Sequence, residues 1–586
     1  MQEMALLLVG DTTSNDDLRL ERLLNFFGVT YQKRGARDFR FSDTSSAQNG
    51  HSYRVLCAAR TFDQILGDPD YSSHRSDDLA RQIHSVFLYS DGDQAALASV
   101  VLQLSRGNVS VRKGGKARVQ WRIADGADGI CGAMRGLDVY PAATTRDGFD
   151  VFDAKENSTA LMSSTDGATF LKVSCGDITF FVSSVPLINI DAELSTQNFD
   201  IREHLFSAVP AVSYIKWAFP QTSWSAPEAG ACMIIDDPLL KARYGFVRFE
   251  KLLPLMKQLR FSTSIAFIPW NWRRSDPKIV KLFKDNPQHY SVCVHGCDHS
   301  AAEFTASNPC RLRWITSEAV RRMTLHEERT GLPHDRVMVF PQGLFSGGAI
   351  AELKRNGFHA AVNTEVHSSP DRTQKLKICD VWDVAVMRYN DFPIFTRRYP
   401  TQGIENFAFD LLLGKPCLVV IHHDFCSNGY RRLSQFIAQL NSLKLPIVWR
   451  CLGDVLKRSY RQKQVSDNSV EIEMYGSELL VENSSNRTKT YSVRRRESHP
   501  EHIESLCAGS DQLSWESVED YIQFKLSVRP GESALLTLRF KADDDVSHEH
   551  QSFVDSAKTT LRRRLSEMRD NYFAPAKSRI AAFSRS

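Results

Sequence analysis

Two histidines four residues apart, His295 and His299, lie in the stretch SVCVHGCDHSAAEF at 291–304. A neutral imidazole is the commonest metal ligand, and residues at i and i+4 share a face if the segment is helical. The pair alone does not separate a metal site from ordinary polar loop chemistry. It is not the H-E-x-x-H pattern, because Gly296 stands in the place of the glutamate. Upstream, MIIDDP sets Asp236 and Asp237 at the end of an apolar run. Adjacent carboxylates repel unless a positive charge lies beside them, although Asp-Asp-Pro is also a good turn former. One aspartate with two histidines is a ligand set that leaves positions open for water and substrate. Further on, CLVVIHHDF ends an apolar run with His422, His423 and Asp424, and VMVFPQGLFS carries Pro341 and Gly343 after another. By itself the last of these reads as a Pro/Gly turn.

All four segments fall in residues 225–460, where short apolar strands alternate with helical patterns. That rhythm predicts a parallel sheet or barrel wrapped by helices, with the polar residues at the C-terminal ends of the strands. Active sites form at those ends in parallel α/β folds. At a strand end the backbone can twist, so Asp236 and Asp237 can reach one cavity instead of pointing oppositely.

The flanks read differently. Residues 1–105 alternate strand-like and helix-like segments, starting with ALLLVGD and a helix that stops at Gly28, and predict a small α/β domain. Residues 106–224 predict a β-rich extension, with SCGDITFFVSS as a Gly-Asp hairpin; it either completes the first sheet or forms its own layer. Residues 466–541 alternate apolar and polar with period two and predict a small antiparallel sandwich. Residues 542–586 read as a polar linker and a basic helical tail containing LRRRLSEMRD.

Composition narrows the function classes. The 586 residues include 73 Lys plus Arg and 69 Asp plus Glu, a formal net charge of +4, which gives no general argument for nucleic acid. No G-x-G-x-x-G or P-loop pattern occurs, so dinucleotide and P-loop nucleotide binding are unsupported. The 12 cysteines include no C-x-x-C pair, which disfavours a zinc-finger or thioredoxin-like site and leaves buried reduced thiols as the default. MALLLVGD reads as a core strand rather than a signal peptide, and no apolar run is long enough to span a membrane; the expectation is a cytoplasmic protein.

Taken together and in this order, the four segments resemble the polysaccharide deacetylase (NodB-homology) superfamily, carbohydrate esterase family 4 and its relatives, over about residues 225–455. IIDDP matches the motif T-F-D-D-G, HGCDH matches H-[ST]-x-x-H, VFPQG matches R-x-P-[YF]-G in part, and HHD matches L-x-H. The resemblance implies a deformed (β/α) barrel flanked by the N-terminal α/β domain and the C-terminal sandwich. It implies hydrolysis of an N-acetyl group on an amino sugar; the expectation of a cytoplasmic protein favours a sugar precursor or a lipid-linked sugar as that substrate. It implies a divalent metal, zinc above all with cobalt or iron as alternatives, held by Asp237, His295 and His299. Carried over by position, Asp236 is the general base and His423 the general acid, with His422 one residue away as the alternative. Asp424 or Asp380 would orient that histidine, and Trp270, Trp272 and Trp382 are candidates to stack on a sugar or to pack in the core. This chain departs from the motifs at Pro238, at Gly296 and at Val339, which stands where the family arginine pairs with the base; Arg243 or Arg388 would have to replace it. Another C–N hydrolase, a glycosidase on the same barrel, or an inactive carbohydrate-binding or scaffold protein are the competing readings.

Overall fold

The computed structural model describes residues 3–10, 13–39, 52–67, 83–126, 128–155, 158–369, 375–541 and 553–573. The linker expected at 542–550 and the end of the basic tail lie outside them. The chain divides into two compact units, one of Met1–Ala192, Phe199–Ser225 and Leu443–Leu445, the other of Glu193–Asn198, Ala226–Ser442 and Pro446–Ser586.

In the first unit the α/β segment and the β-rich segment share one sheet. Its parallel part runs Tyr31–Gly35, Glu3–Val9, Ser52–Ala58, Ile83–Tyr89 and Ile178–Ser183. It continues antiparallel through Gly167–Cys175 and Ser158–Ser164. The pairing of Cys175 with Ile178 leaves Gly176 and Asp177 as the two-residue turn that the sequence predicts, with Gly176 at a φ of +60°. Strand Ile178–Ser183 therefore closes a hairpin on one edge and completes the parallel array on the other.

In the second unit, strands Ala229–Asp236, Thr263–Phe267, Tyr290–His295, Asp335–Val339, Ala360–Asn363 and Ile394–Thr396 pair in parallel, in chain order. Cys417–Ile421 pairs with the other edge of Ala229–Asp236. The sheet closes on itself through one residue: Arg398 N–H donates to Leu418 O at 2.9 Å, and Val420 N–H donates to Arg398 O at 2.9 Å. The result is the deformed parallel barrel, with helices such as Phe249–Leu259, Pro309–Thr330 and Ile404–Leu413 between the strands. Cys232, Ile234, Val337, Val339, Val362, Phe395 and Leu418 form one buried apolar cluster. By strand alternation Asp236 shares a face with Cys232 and Ile234, and Arg397 shares one with Phe395. The apolar cluster thus runs straight into a pair of charges.

The C-terminal sheets form a sandwich around Ile472, Val493, Leu506, Ile522, Phe524 and Leu536. Along Tyr521–Val528 the buried residues Ile522, Phe524, Leu526 and Val528 alternate with exposed ones, as period two requires. One pairing departs from the expected antiparallel pattern: Ser469–Met474 runs parallel to Lys489–Arg496. Between them the chain spends Glu478–Glu482 in the other sheet, so the return is a crossover instead of a hairpin.

A buried ionic network lies between this sandwich and the barrel helix Gly347–Arg355. Glu497, fully buried, accepts from Lys354 Nζ at 2.7 Å on each oxygen and from Arg495 Nη1 at 2.9 Å. Arg495 also donates to Asp391 O at 3.0 Å. Removing the carboxylate leaves two buried cations without their counter-charge. Glu497→Ala should therefore destabilise this unit by about 3–5 kcal/mol, read as a lower midpoint in denaturant unfolding. An unchanged midpoint would show the network to be dispensable.

Candidate active site

The strand ends of the barrel bring together Asp236, Asp237, His295, His299, Arg397 and His422. Ala229–Asp236 ends in buried Asp236, and Asp237 follows at a φ of +81°. That left-handed conformation is strained for an aspartate, the more so before Pro238. It breaks the strand alternation, so the second carboxylate turns toward the same cavity as the first.

Asp237 Oδ1 lies 3.2 Å from His299 Nε2 and 3.5 Å from His295 Nε2. One ligand atom from each of the three residues falls within 4.8 Å of the others. His295 Nδ1 is 2.9 Å from Val339 O, an acceptor only, so Nδ1 carries the proton and Nε2 presents a lone pair to the cluster. Asp237 Oδ1 is buried and receives no hydrogen bond among the described residues. A carboxylate oxygen beside two imidazole Nε2 atoms is the donor set of a divalent cation, and the three residues fit one. Burial pushes the Asp237 carboxyl up, but the imidazoles of His295 and His299 hold it well below the usual carboxylate range. Burial pushes His295 down, and the charges of Asp236 and Asp237 more than reverse this, so its pKa is raised. The cluster is an anionic seat that takes up a cation, proton or metal.

Asp236 is held by Arg397 through two parallel bonds, Nη1 to Oδ1 and Nη2 to Oδ2, each 2.7 Å. Both side chains are almost wholly buried. Burial pushes the Asp236 carboxyl up; Arg397 first and His295 second outweigh it and leave it below its ordinary value. Arg397 supplies the charge that Val339 lacks. Neither expected substitute does so: Arg243 donates to Gly245 O and Asn571 O, and Arg388 donates to Asp380. The neighbour Arg398 points the other way, to Asp410.

The loop carrying His299 is organised by Glu303, which the sequence reading did not single out. Its carboxylate accepts from the N–H groups of Cys297 (2.8 Å), Asp298, His299 and Ser300 (3.2 Å each), and from Ser300 Oγ at 3.2 Å. A Cβ on Gly296, at a φ of +64°, would lie 2.1 Å from Glu303 Oε1 and 2.5 Å from Pro341 Cγ. Glycine at this motif position makes room for the glutamate. Ser300-x-x-Glu303 has the form of a capping box, the signal that would have revealed it.

The histidine doublet splits. His422 Nδ1 lies 3.8 Å from Asp237 Oδ2, and its Nε2 lies 3.3 Å from Tyr399 Oη; the side chain is 43% exposed. His423, the residue carried over as the acid, turns away from Asp237: its Nε2 lies 3.6 Å from Asp570 Oδ1, and its ring stacks on Phe246. Neither expected orienting carboxylate is beside it. Asp380 accepts from Lys377 N and Arg388, and Asp424 is exposed. Trp382 is fully buried against Phe409 and is a core residue. Trp270 and Trp272 are half-buried, under Arg274 and Arg273 respectively.

No protein-family model and no curated protein sequence matches the chain. Among solved structures the chain is similar to Agd3, described as a novel carbohydrate deacetylase, over 92% of this chain and 98% of that one, at 9% identity and a TM-score of 0.47. It is also similar to a family 4 carbohydrate-esterase pseudoenzyme from Bacillus anthracis, over 39% of this chain and 66% of that one, at 11% identity and a TM-score of 0.26. A family 4 acetyl xylan esterase from Clostridium thermocellum, in complex with cobalt, aligns over 39% of this chain and 90% of that one, at 10% identity and a TM-score of 0.24. Among the described residues, no helix is long and apolar enough to cross a membrane.

The geometry makes metal content a direct test. Purified protein should hold about one divalent ion per chain, lost in His295→Ala and in His299→Ala. Affinity should fall as pH drops through the raised His295 value, because a protonated imidazole has no lone pair to offer. Elemental analysis and metal titration across pH read both; full metal content in either variant removes the ligand assignment.

Proposed function

We propose that the chain is a metal-dependent hydrolase that removes acetyl groups from an N-acetylated amino sugar. The observation that carries this reading is the Arg397-held carboxylate of Asp236 beside the Asp237, His295 and His299 cluster, with His422 on its open side. Asp237, His295 and His299 would hold the metal. Bound there, a divalent cation supplies Lewis acidity toward a carbonyl oxygen and lowers the pKa of a nearby water.

The chain's own residues supply the proton transfers. Asp236, kept ionised by Arg397, is the general base: it takes a proton from the attacking water as the new carbon–oxygen bond forms. His422 is the general acid. In its protonated form the imidazole gives a proton to the nitrogen as the carbon–nitrogen bond breaks, so that a neutral amine and acetic acid leave, the acid losing its remaining proton to solvent as acetate. Without that proton the leaving group would be a strongly basic nitrogen anion. The acid role falls to His422 rather than His423 because only His422 faces Asp237 from an open, half-exposed position. Tyr399, stacked 6.0 Å away, sets the plane of the His422 ring. The amino sugar as substrate rests on the resemblance of the four strand-end segments to the deacetylase motifs.

Acetate release from N-acetylglucosamine oligomers by the metal-loaded protein tests the reading. Asp236→Asn and His422→Gln should keep the metal and lose turnover by roughly 10²- to 10⁴-fold. Either variant working at the wild-type rate would remove that residue from its role. Arg397→Met leaves burial of Asp236 opposed by His295 and His422 without the arginine, so the base titrates higher and the acid limb of kcat/KM moves to higher pH. Arg397→Lys keeps a charge and should shift it less. An acid limb that stays in place in Arg397→Met would show that this ion pair does not set the ionisation of the base.

A further inference from the structure

The basic tail, which the reading above leaves without a role, reaches the site. Helix Phe553–Met568 continues as a wider turn over Arg569–Phe573. Arg562 donates to Asp298 O at 3.0 Å, in the loop that carries His299. Glu567 binds Lys241 at 2.7 Å and also Arg274. Asn571 Oδ1 accepts from Gly245 N–H at 2.7 Å, and Asn571 O accepts from Arg243 at 3.0 Å. Each contact is to a segment that follows a barrel strand on the side where the active-site residues lie.

The innermost of these residues is Asp570, buried although it stands near the end of the chain. Its Oδ2 accepts from Tyr244 Oη at 2.8 Å, and its Oδ1 lies 3.6 Å from His423 Nε2 and 2.7 Å from Arg569 Nε. Burial pushes this carboxyl up, and the donors His423, Arg569 and Tyr244 bring it down to about 2, so it is an anion at any working pH. The imidazole of His423 is enclosed on its other sides. It stacks on Phe246 at 6.0 Å, meets Tyr244 edge-on at 5.8 Å, and leaves no room at Gly245, where a Cβ would lie 2.5 Å from Nδ1.

We propose that Asp570 is a positioning residue of the hydrolytic site, contributed by the C-terminal helix and acting on His422 through His423. Backbone continuity links the two histidines, and the positioning role rests on the acid role given to His422 above. His422 has an extended backbone, with φ −103° and ψ 170°, and His423 opens the short helical turn His423–Cys426. The two imidazoles face different partners, His422 toward Asp237 and His423 toward Asp570. Fixing His423 against Asp570, Tyr244 and Phe246 therefore fixes the backbone from which His422 faces Asp237. The tail aims the acid from behind, without touching substrate.

The alternative is that Asp570 only staples the tail to the barrel, and the test is chosen to separate the two. In the full-length, metal-loaded protein, Asp570→Ala should lower kcat by roughly 10- to 100-fold with KM and metal content unchanged. Asp570→Asn keeps the size of the side chain and should fall between wild type and Asp570→Ala. His423→Ala should show the same loss, and combining it with Asp570→Ala should add little further, since one residue acts through the other. Losses that multiply in the double variant, or wild-type kcat in Asp570→Ala, would overturn the proposal. A second readout does not depend on the hydrolase reading. In protein labelled with 15N-histidine, the His422 imidazole signal, identified by its loss in His422→Gln, should move in Asp570→Ala. If the wild type releases no acetate, this signal alone decides: an unmoved His422 resonance overturns the positioning role, and a shifted one sustains it while the substrate reading falls.

Discussion

A carboxylate at the mouth of a closed parallel barrel has few ways to stay ionised, and in this chain Asp236 has Arg397. The pair is nearly sealed from water, with both oxygens bound at 2.7 Å. Breaking such a pair leaves one charge buried alone, which is worse than burying neither. Arg397 owes its place to the seam of the barrel. The next residue, Arg398, makes the backbone bridge that closes the sheet, and Arg397 N–H donates to Asn363 O at 3.0 Å on the strand before it. Closure of the barrel and the counter-charge of Asp236 are therefore supplied by adjacent residues of one segment. A barrel open at that seam would lose the counter-charge of Asp236 along with the sheet pairing.

Around this pair the backbone is held in conformations that would not arise unaided. Asp237, His299 and Gln342 sit at φ values of +81°, +54° and +59°. Left-handed conformations for non-glycine residues persist only where the surroundings over-determine them. Here the surroundings are specific: Glu303 gathers consecutive N–H groups of the loop 297–300, while Asp298, buried behind it, is bound by Arg322 at 2.5 Å. Arg322 comes from the helix Pro309–Thr330 and is itself held by Glu318 at 2.6 Å. The position of a candidate ligand is thus carried by side chains of a helix and a loop that are not themselves among the three residues of the cation seat.

Much of this was legible in the sequence, and what was not shares a cause. The strand–helix rhythm, the strand ends and the cluster of Asp237, His295 and His299 follow from patterns local to a few residues, which period and turn chemistry encode directly. Arg397 was invisible because its partner lies 161 residues away across the barrel, and nothing in IFTRRYP distinguishes an inward arginine from a surface one. Asp570 was hidden for the same reason, inside a charged helix whose composition suggests a solvated face. Glu303 could have been found, since it stands in the stretch that held the histidines. The sandwich was read correctly as alternating strands, but the parallel pairing of Ser469–Met474 with Lys489–Arg496 depends on which sheet the intervening strand joins, a choice that alternation does not encode.

Three doublets at strand ends, Asp236–Asp237, Arg397–Arg398 and His422–His423, show how the barrel divides labour between neighbours. On a regular strand two adjacent side chains must part, and the arginines do: one binds Asp236 inside, the other binds Asp410 outside. The histidines part likewise, one to Asp237 and one to Asp570. The aspartates alone converge, and they do so because Asp237 leaves the strand at a positive φ. On the proposed mechanism a base and a metal ligand share one cavity, so that doublet needs the strained turn, while an acid needs only one imidazole, so its neighbour is free to serve as an anchor. Which residue of each doublet faces the cavity is decided by backbone conformation at the strand end and not by residue type, the same on both sides.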